Sequence, residues 1–140
     1  MKKTKLLLLF ITILMILSCA INQVADYDRD TAFTIIKIAR RVDMFYISLS
    51  EKEPDVRLYK EFVSAYNEIE IELRTLVMRN KMRTKNEESI MISEHILQNW
   101  LEFKVKHKKD DSYKNSLLDV DWSTIREQFY ALAVAEAAKQ

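Results

Sequence analysis

Glycine is absent from all 140 residues, proline and cysteine each occur once, and there are two histidines. Without glycine there is no G-x-G-x-x-G fingerprint, no Walker A loop, no G-x-S-x-G nucleophile elbow and no ordinary EF-hand loop. Each of these needs glycine for a tight turn or a close backbone approach. Nucleotide-binding and serine-hydrolase functions therefore fall together. Glycine is also the usual residue of hairpin turns, and Pro54 is the one other strong turn-former, which argues against a turn-rich β fold. The chain is expected to be all-α. The single cysteine has no partner for a disulfide. The two histidines do not make a metal site: His95 follows Glu94, but the Glu-x-x-His spacing that places both ligands on one helix face is missing. No metal and no cofactor are expected, and His95 reads as a rim residue.

Long apolar runs are confined to the N-terminus. Lys2, Lys3 and Lys5 precede an apolar segment from Leu6 to Leu17 that only Thr12 interrupts. A dozen residues span roughly 18 Å as a helix, well short of the roughly 30 Å hydrocarbon core of a bilayer. A basic start, a short apolar run and a small residue before a cut make the pattern of a secretory signal peptide.

The end of that run, Ile16-Leu17-Ser18-Cys19, resembles the lipobox of bacterial lipoproteins. The resemblance covers residues 1–20 only and departs from the common pattern at Leu17, where smaller or β-branched residues are usual. It implies cleavage after Ser18, with Ile16, Leu17 and Ser18 forming the cleavage site. Cys19 would then be the acylated first residue of the mature chain. It also implies export and a lipid anchor, with Ala20 directing the protein to the periplasmic face of the outer membrane in a Gram-negative cell. Several acyl chains on one residue make such anchoring effectively permanent.

The expected organisation is a signal peptide over 1–18, a lipidated cysteine and tether over 19–27, and one helical domain over 28–140. Loss of three lysines takes the formal net charge from +1 to −2. Nothing in that near-neutral balance suggests nucleic acid as a partner.

Within the domain the periodicity predicts an antiparallel bundle of about four helices. A first helix starts near Asp28 or Asp30 and runs to about Ser50. Its proposed buried stripe is Phe33, Ile36, Ala39 or Arg40, Asp43 or Met44, and Ile47, with Ile35, Ile38, Val42, Phe45 and Leu49 widening it. A second runs from Pro54 to Arg83 on a heptad-like seam of Tyr59, Phe62, Tyr66, Ile69, Leu73 and Leu76. A third begins at Asn86, carries Ile92, Ile96, Trp100 and Phe103, and is expected to fade within residues 104–111. Residues 112–121 are ambiguous. A last helix is expected from a capping-box pattern at Thr124 to Glu127, with Trp122 at its edge and Trp122, Ile125, Phe129, Leu132 and Glu136 on one stripe at three-four spacing.

Two features stand out as candidate contacts. Asp43 interrupts an apolar face, so it is expected to pair with Arg40, Arg41 or a neighbouring helix and set the packing register, or to contact a partner. The run from Lys104 to Lys109 is the densest basic patch. Lys104, Lys106, Lys108 and Lys109 are candidates for a membrane or partner contact, set against a plain solvated helix end. Paired carboxylates such as Glu68 and Glu72 carry no sign of converging in a cleft, so no catalytic residue is expected. The lipobox resemblance implies a lipoprotein, and a near-neutral helical bundle suits binding of another envelope protein without catalysis, with a lipid- or small-ligand-binding helical domain as the alternative.

Overall fold

The computed structural model describes residues 24–140. Cys19 and the cleavage-site residues Ile16, Leu17 and Ser18 lie outside the described residues. Four helices follow: α1 (Arg29–Ser50), α2 (Tyr59–Lys81), α3 (Glu87–Asp110) and α4 (Asn115–Ala137), with one 3₁₀ turn, Pro54–Val56, between α1 and α2. Each helix packs on the next, and α4 closes back against α1. The result is an up-down-up-down bundle in which α1 and α3 stand diagonally opposite, as do α2 and α4. One end gathers the start of α1, the α2–α3 turn and the end of α4; the far end gathers the other two connections.

The first helix begins where an acidic cap allows it. The Asp28 carboxylate accepts the backbone N–H groups of Asp30 at 3.0 Å and Thr31 at 3.3 Å, and the Thr31 hydroxyl at 2.6 Å. These bonds satisfy donors that the first turn leaves open. The hydroxyl and backbone bonds of Thr31 lead the causes that hold the Asp28 pKa below its usual value. With no glycine to end α3, Asp111 adopts the left-handed conformation at φ 44°. Its carboxylate then accepts the Tyr59 N–H at 2.9 Å, capping α2, whose own cap position, Leu58, supplies no side-chain bond.

The seam expected on α2 is the one that is buried: Phe62, Tyr66, Ile69, Leu73 and Leu76 all face the core. On α1 the structure chooses differently. Phe33 and Ile36 are 70% and 63% exposed and Met44 and Ile47 also face out, while Ile35, Ile38, Val42, Phe45 and Leu49 are buried. Apolar residues cover more than half of this helix's circumference, so three- and four-residue spacing fits two stripes. The inward one is selected by aromatic packing: Phe45 lies edge-on to Tyr66 and Trp100, at 4.6 and 5.0 Å between ring centres.

Two boundaries also differ from expectation. Helix α3 does not fade at Lys104 but continues to Asp110, because His107 is a buried residue of its inner face. Helix α4 starts at Asn115, so the Thr124–Glu127 pattern lies within it and caps nothing. The Thr124 hydroxyl donates to the carbonyl of Val120 one turn back.

Candidate functional site

Polar groups inside the bundle form two clusters. At the far end, His107 links three segments of the chain. Its Nε2 lies 2.7 Å from the Arg57 carbonyl and its Nδ1 lies 3.2 Å from the Tyr66 hydroxyl. A carbonyl only accepts, so Nε2 carries the proton and Nδ1 accepts from Tyr66. Burial is the main reason the His107 pKa lies below the usual histidine value. Arg57, equally buried, donates to the carbonyls of Lys52 and Tyr113 and to the Asn115 side chain at 2.7–2.9 Å. The Tyr113 hydroxyl donates to Asp121 at 2.6 Å. Burial raises the pKa of Asp121, as it does those of Tyr46, Tyr66 and Tyr113. Arg57 and the Nε2 of His107 hold the 52–57 and 111–115 connections to the helices, and the Nδ1 of His107 joins α3 to Tyr66 on α2.

At the opposite end Glu136 is fully buried. It accepts both Nη atoms of Arg83, at 2.9 and 3.0 Å, the Lys139 ammonium at 2.7 Å and the Asp28 backbone N–H at 3.0 Å. Burial pushes its pKa up, but Arg83, Lys139 and the Asp28 amide together more than offset that, so the net shift is downward. Lys139 also donates to Asn86 and Ser89, at 2.6 and 2.8 Å. Arg83 reaches the carbonyl of Asp26, and Ala25 N–H donates to the Lys85 carbonyl at 2.9 Å. The segment that enters the domain is therefore clamped onto the end of the bundle. Both clusters rest on partners that spacing does not show: Arg57 and Arg83 look like solvated turn residues, while Glu136 stands on the apolar spacing of the last helix with no local sign of what holds it.

The residues singled out from the sequence are not brought together. Asp43 finds its partners on α4, not on Arg40 or Arg41. It accepts the Trp122 indole N–H at 2.7 Å and sits 3.5 Å from Arg126, whose guanidinium lies over the Trp122 ring. Trp122 stacks on Tyr46 at 5.9 Å, so this contact ties α1 to α4. Arg41 pairs instead with Glu68 and Glu72 on α2 at 2.6 and 2.7 Å. Lys104 is committed to Glu70 and Asn67, at 2.8 and 2.6 Å, whereas Lys106, Lys108 and Lys109 are exposed near the far end. That end is removed from the clamp by most of α3, whose 24 residues span about 36 Å. His95 is exposed. Among the described residues no group of His, Cys, Asp and Glu is placed to hold a metal ion, and no helix is long and apolar enough to cross a membrane.

An open groove of about 550 Å³ lies between α2 and α3. Val77, Met78 and Met82 line one wall and Leu97 and Leu101 the other, with Lys81 and Glu94 joined across the rim at 2.6 Å. Leu101 also lines a second shallow depression that continues along α3 past Val105 to Lys109. Methionine supplies a flexible, polarisable wall that adapts to an inserted side chain. The period-3.6 pattern holds the signal for this groove: Met78, Met82, Leu97, Leu101 and Val105 lie beside the core stripes. No family model matches the chain, and no curated protein or solved structure matches it.

Proposed function

We propose that this chain is an exported lipoprotein, anchored through Cys19, whose bundle acts without catalysis by docking a helix of another envelope protein in the α2–α3 groove. The observation that carries it is the groove itself: an open apolar channel floored by Val77 and Leu97 and bordered by exposed Met78 and Met82. An amphipathic helix lays its apolar face into such a channel at positions one turn apart. The basic and acidic rim residues Arg74, Lys81 and Glu94 are positioned to fix its register. The buried histidine and acidic residues, by contrast, are committed to holding the fold, which favours binding over chemistry. Lipidation is supported by the lipobox resemblance and by the use of the sole cysteine at that place.

The test is a photo-crosslinking amino acid placed at Leu101 in the membrane-bound protein, with and without Met78→Asp. One adduct of defined mass that Met78→Asp abolishes, and that a probe at Val120 on α4 does not form, supports the proposal. Adducts that are indifferent to Met78→Asp or equal at the two probe positions would refute it.

A further inference from the structure

The outward face of α1 has a composition that a packed bundle does not need. Arg29, Phe33, Ile36, Lys37, Arg40, Met44 and Ile47 fall within about a third of the helical circumference at 100° per residue, and that arc holds no carboxylate. Its four apolar side chains are all exposed. Lys37 has only a 3.7 Å approach to Glu72, and among the described residues Arg29 and Arg40 have no ion-pair partner. Of the acids beside the arc, Glu68 and Glu72 are engaged by Arg41 on one flank and Asp43 by Trp122 and Arg126 on the other, while Asp30, 84% exposed at the start of the helix, has a 3.8 Å approach to Arg79. Tyr130 of α4, 74% exposed, borders the shallow groove between α1 and α4 that Ile36 also lines.

On an anchor at Cys19, the chain's own geometry keeps the end of the bundle where α1 starts close to a bilayer. The clamp holds residues 25–28 on the bundle, and four residues lie between Cys19 and Val24, a reach of at most about 18 Å over five steps. We infer that the outward face of α1 lies on the membrane surface, Phe33, Ile36, Met44 and Ile47 entering the interface and Arg29, Lys37 and Arg40 meeting anionic lipid headgroups. This rests on acylation at Cys19. Exposed apolar and aromatic residues interleaved with cations form the composition of an interfacial helix, and basic residues near an anionic leaflet are drawn to it. With α1 down, α3 stands diagonally away from the lipid and its groove with α2 remains open to a partner.

Acylation blocks the sole native thiol, so Phe33→Cys, Met44→Cys and, as control, Val105→Cys each offer one site for a polarity-sensitive fluorophore. All three positions are exposed, which leaves the core untouched. The labelled, acylated full chain is reconstituted in vesicles one-third phosphatidylglycerol, with nitroxide-bearing lipid as quencher. The expected result is at least twofold quenching at 33 and 44, little at 105, and loss of the difference in purely zwitterionic vesicles or with Lys37→Glu and Arg40→Glu together. Equal quenching at all three sites, none at 33 and 44, or quenching at those sites that ignores the anionic lipid overturns the inference. Vesicle flotation and intact mass separate the two levels: a protein that floats with acyl mass but shows no site-dependent quenching refutes the orientation alone. A protein that neither floats nor carries acyl mass refutes the anchor.

Discussion

Replacing Glu136 with glutamine is expected to loosen the end of the bundle where the chain enters it. The carboxylate is fully buried, and the side chains it neutralises, Arg83 and Lys139, are 15% and 4% exposed. Glutamine keeps the shape and one acceptor oxygen but removes the charge, leaving two cations facing a neutral amide. Removing one member of a buried ion pair costs about 3–5 kcal/mol. Arg83 retains some contact with water, so the lower part of that range applies, roughly 3 kcal/mol. For a domain of this size that corresponds to a fall in Tm of about 10 °C. The pH dependence carries the same sign. The folded pKa of Glu136 is depressed, so its contribution is complete above the unfolded value near 4.5 and is lost as pH falls through the lower folded value. Glu136→Gln should therefore flatten the acid limb of the stability curve. Urea unfolding at pH 7 and pH 4 measures both effects. Amide exchange adds a local readout, since Ala25 and Asp28 donate backbone bonds within this clamp. A glutamine variant within about 1 kcal/mol of wild type, with those two amides still protected, would show that the clamp does not hold the entering segment.

His107 has a depressed pKa through burial, so its contribution is present above the usual histidine value of 6.5 and is lost as pH falls through the folded one. His107→Gln should flatten the stability curve just below neutrality as well as lower it, which denaturant melts at pH 7.5 and 5.5 would read. Asp121 has the opposite sign: burial raises its pKa, so the protonated form suits the fold and the contribution falls as pH rises. Asp121→Asn, which still accepts from Tyr113, should match or exceed wild-type stability at pH 7 and lose that advantage toward pH 3. Asp43→Ala removes a charge-assisted bond to Trp122 that is partly open to water, and about 1 kcal/mol is expected by chemical unfolding. Leu73→Ala empties a fully buried site on the α2 seam and should cost about 2–5 kcal/mol by the same assay.

What periodicity could show depended on how narrow each apolar stripe was. On α2 the apolar positions form one seam flanked by Glu68, Glu70, Glu72 and Arg74, so spacing identified the buried face. On α1 the same spacing fitted two faces, and only the tertiary contacts of Phe45 with Tyr66 and Trp100 decide between them. The ends of α3 and α4 were obscured for a different reason. Their inner faces continue through His107 and Glu136, polar residues whose bonds go to partners far away in sequence, Arg57 and Arg83, and through Asp121, whose partner Tyr113 lies in the connection just before α4. A window along one helix contains none of those partners. Asp43 and Glu136 were both legible as polar residues on an apolar spacing; what the spacing could not show is the distant partner, Trp122 for one and Arg83 for the other.

The same distinction bears on how the two faces of the bundle divide their work. A domain on a loose tether samples every orientation, and any exposed apolar face would meet lipid and partner alike. Here the tether does not run loose to the first helix: Ala25, Asp26 and Asp28 are each bonded to the α2–α3 turn or to the residues at α4's end that close on it. If Cys19 is acylated as proposed, the short span from it to Val24 would limit tilt as well as distance. An apolar, cation-bearing α1 beside that attachment point would then be constrained toward the bilayer, and the α2–α3 groove on the other side of the bundle away from it. Weakening the clamp through Glu136 should consequently disturb membrane orientation before it unfolds the core. In the vesicle experiment, Glu136→Gln at a temperature well below its Tm is expected to narrow the difference in quenching between positions 33 and 105 while the far-UV spectrum stays native. If that difference persists unchanged, orientation comes from the α1 face alone and the clamp serves stability only.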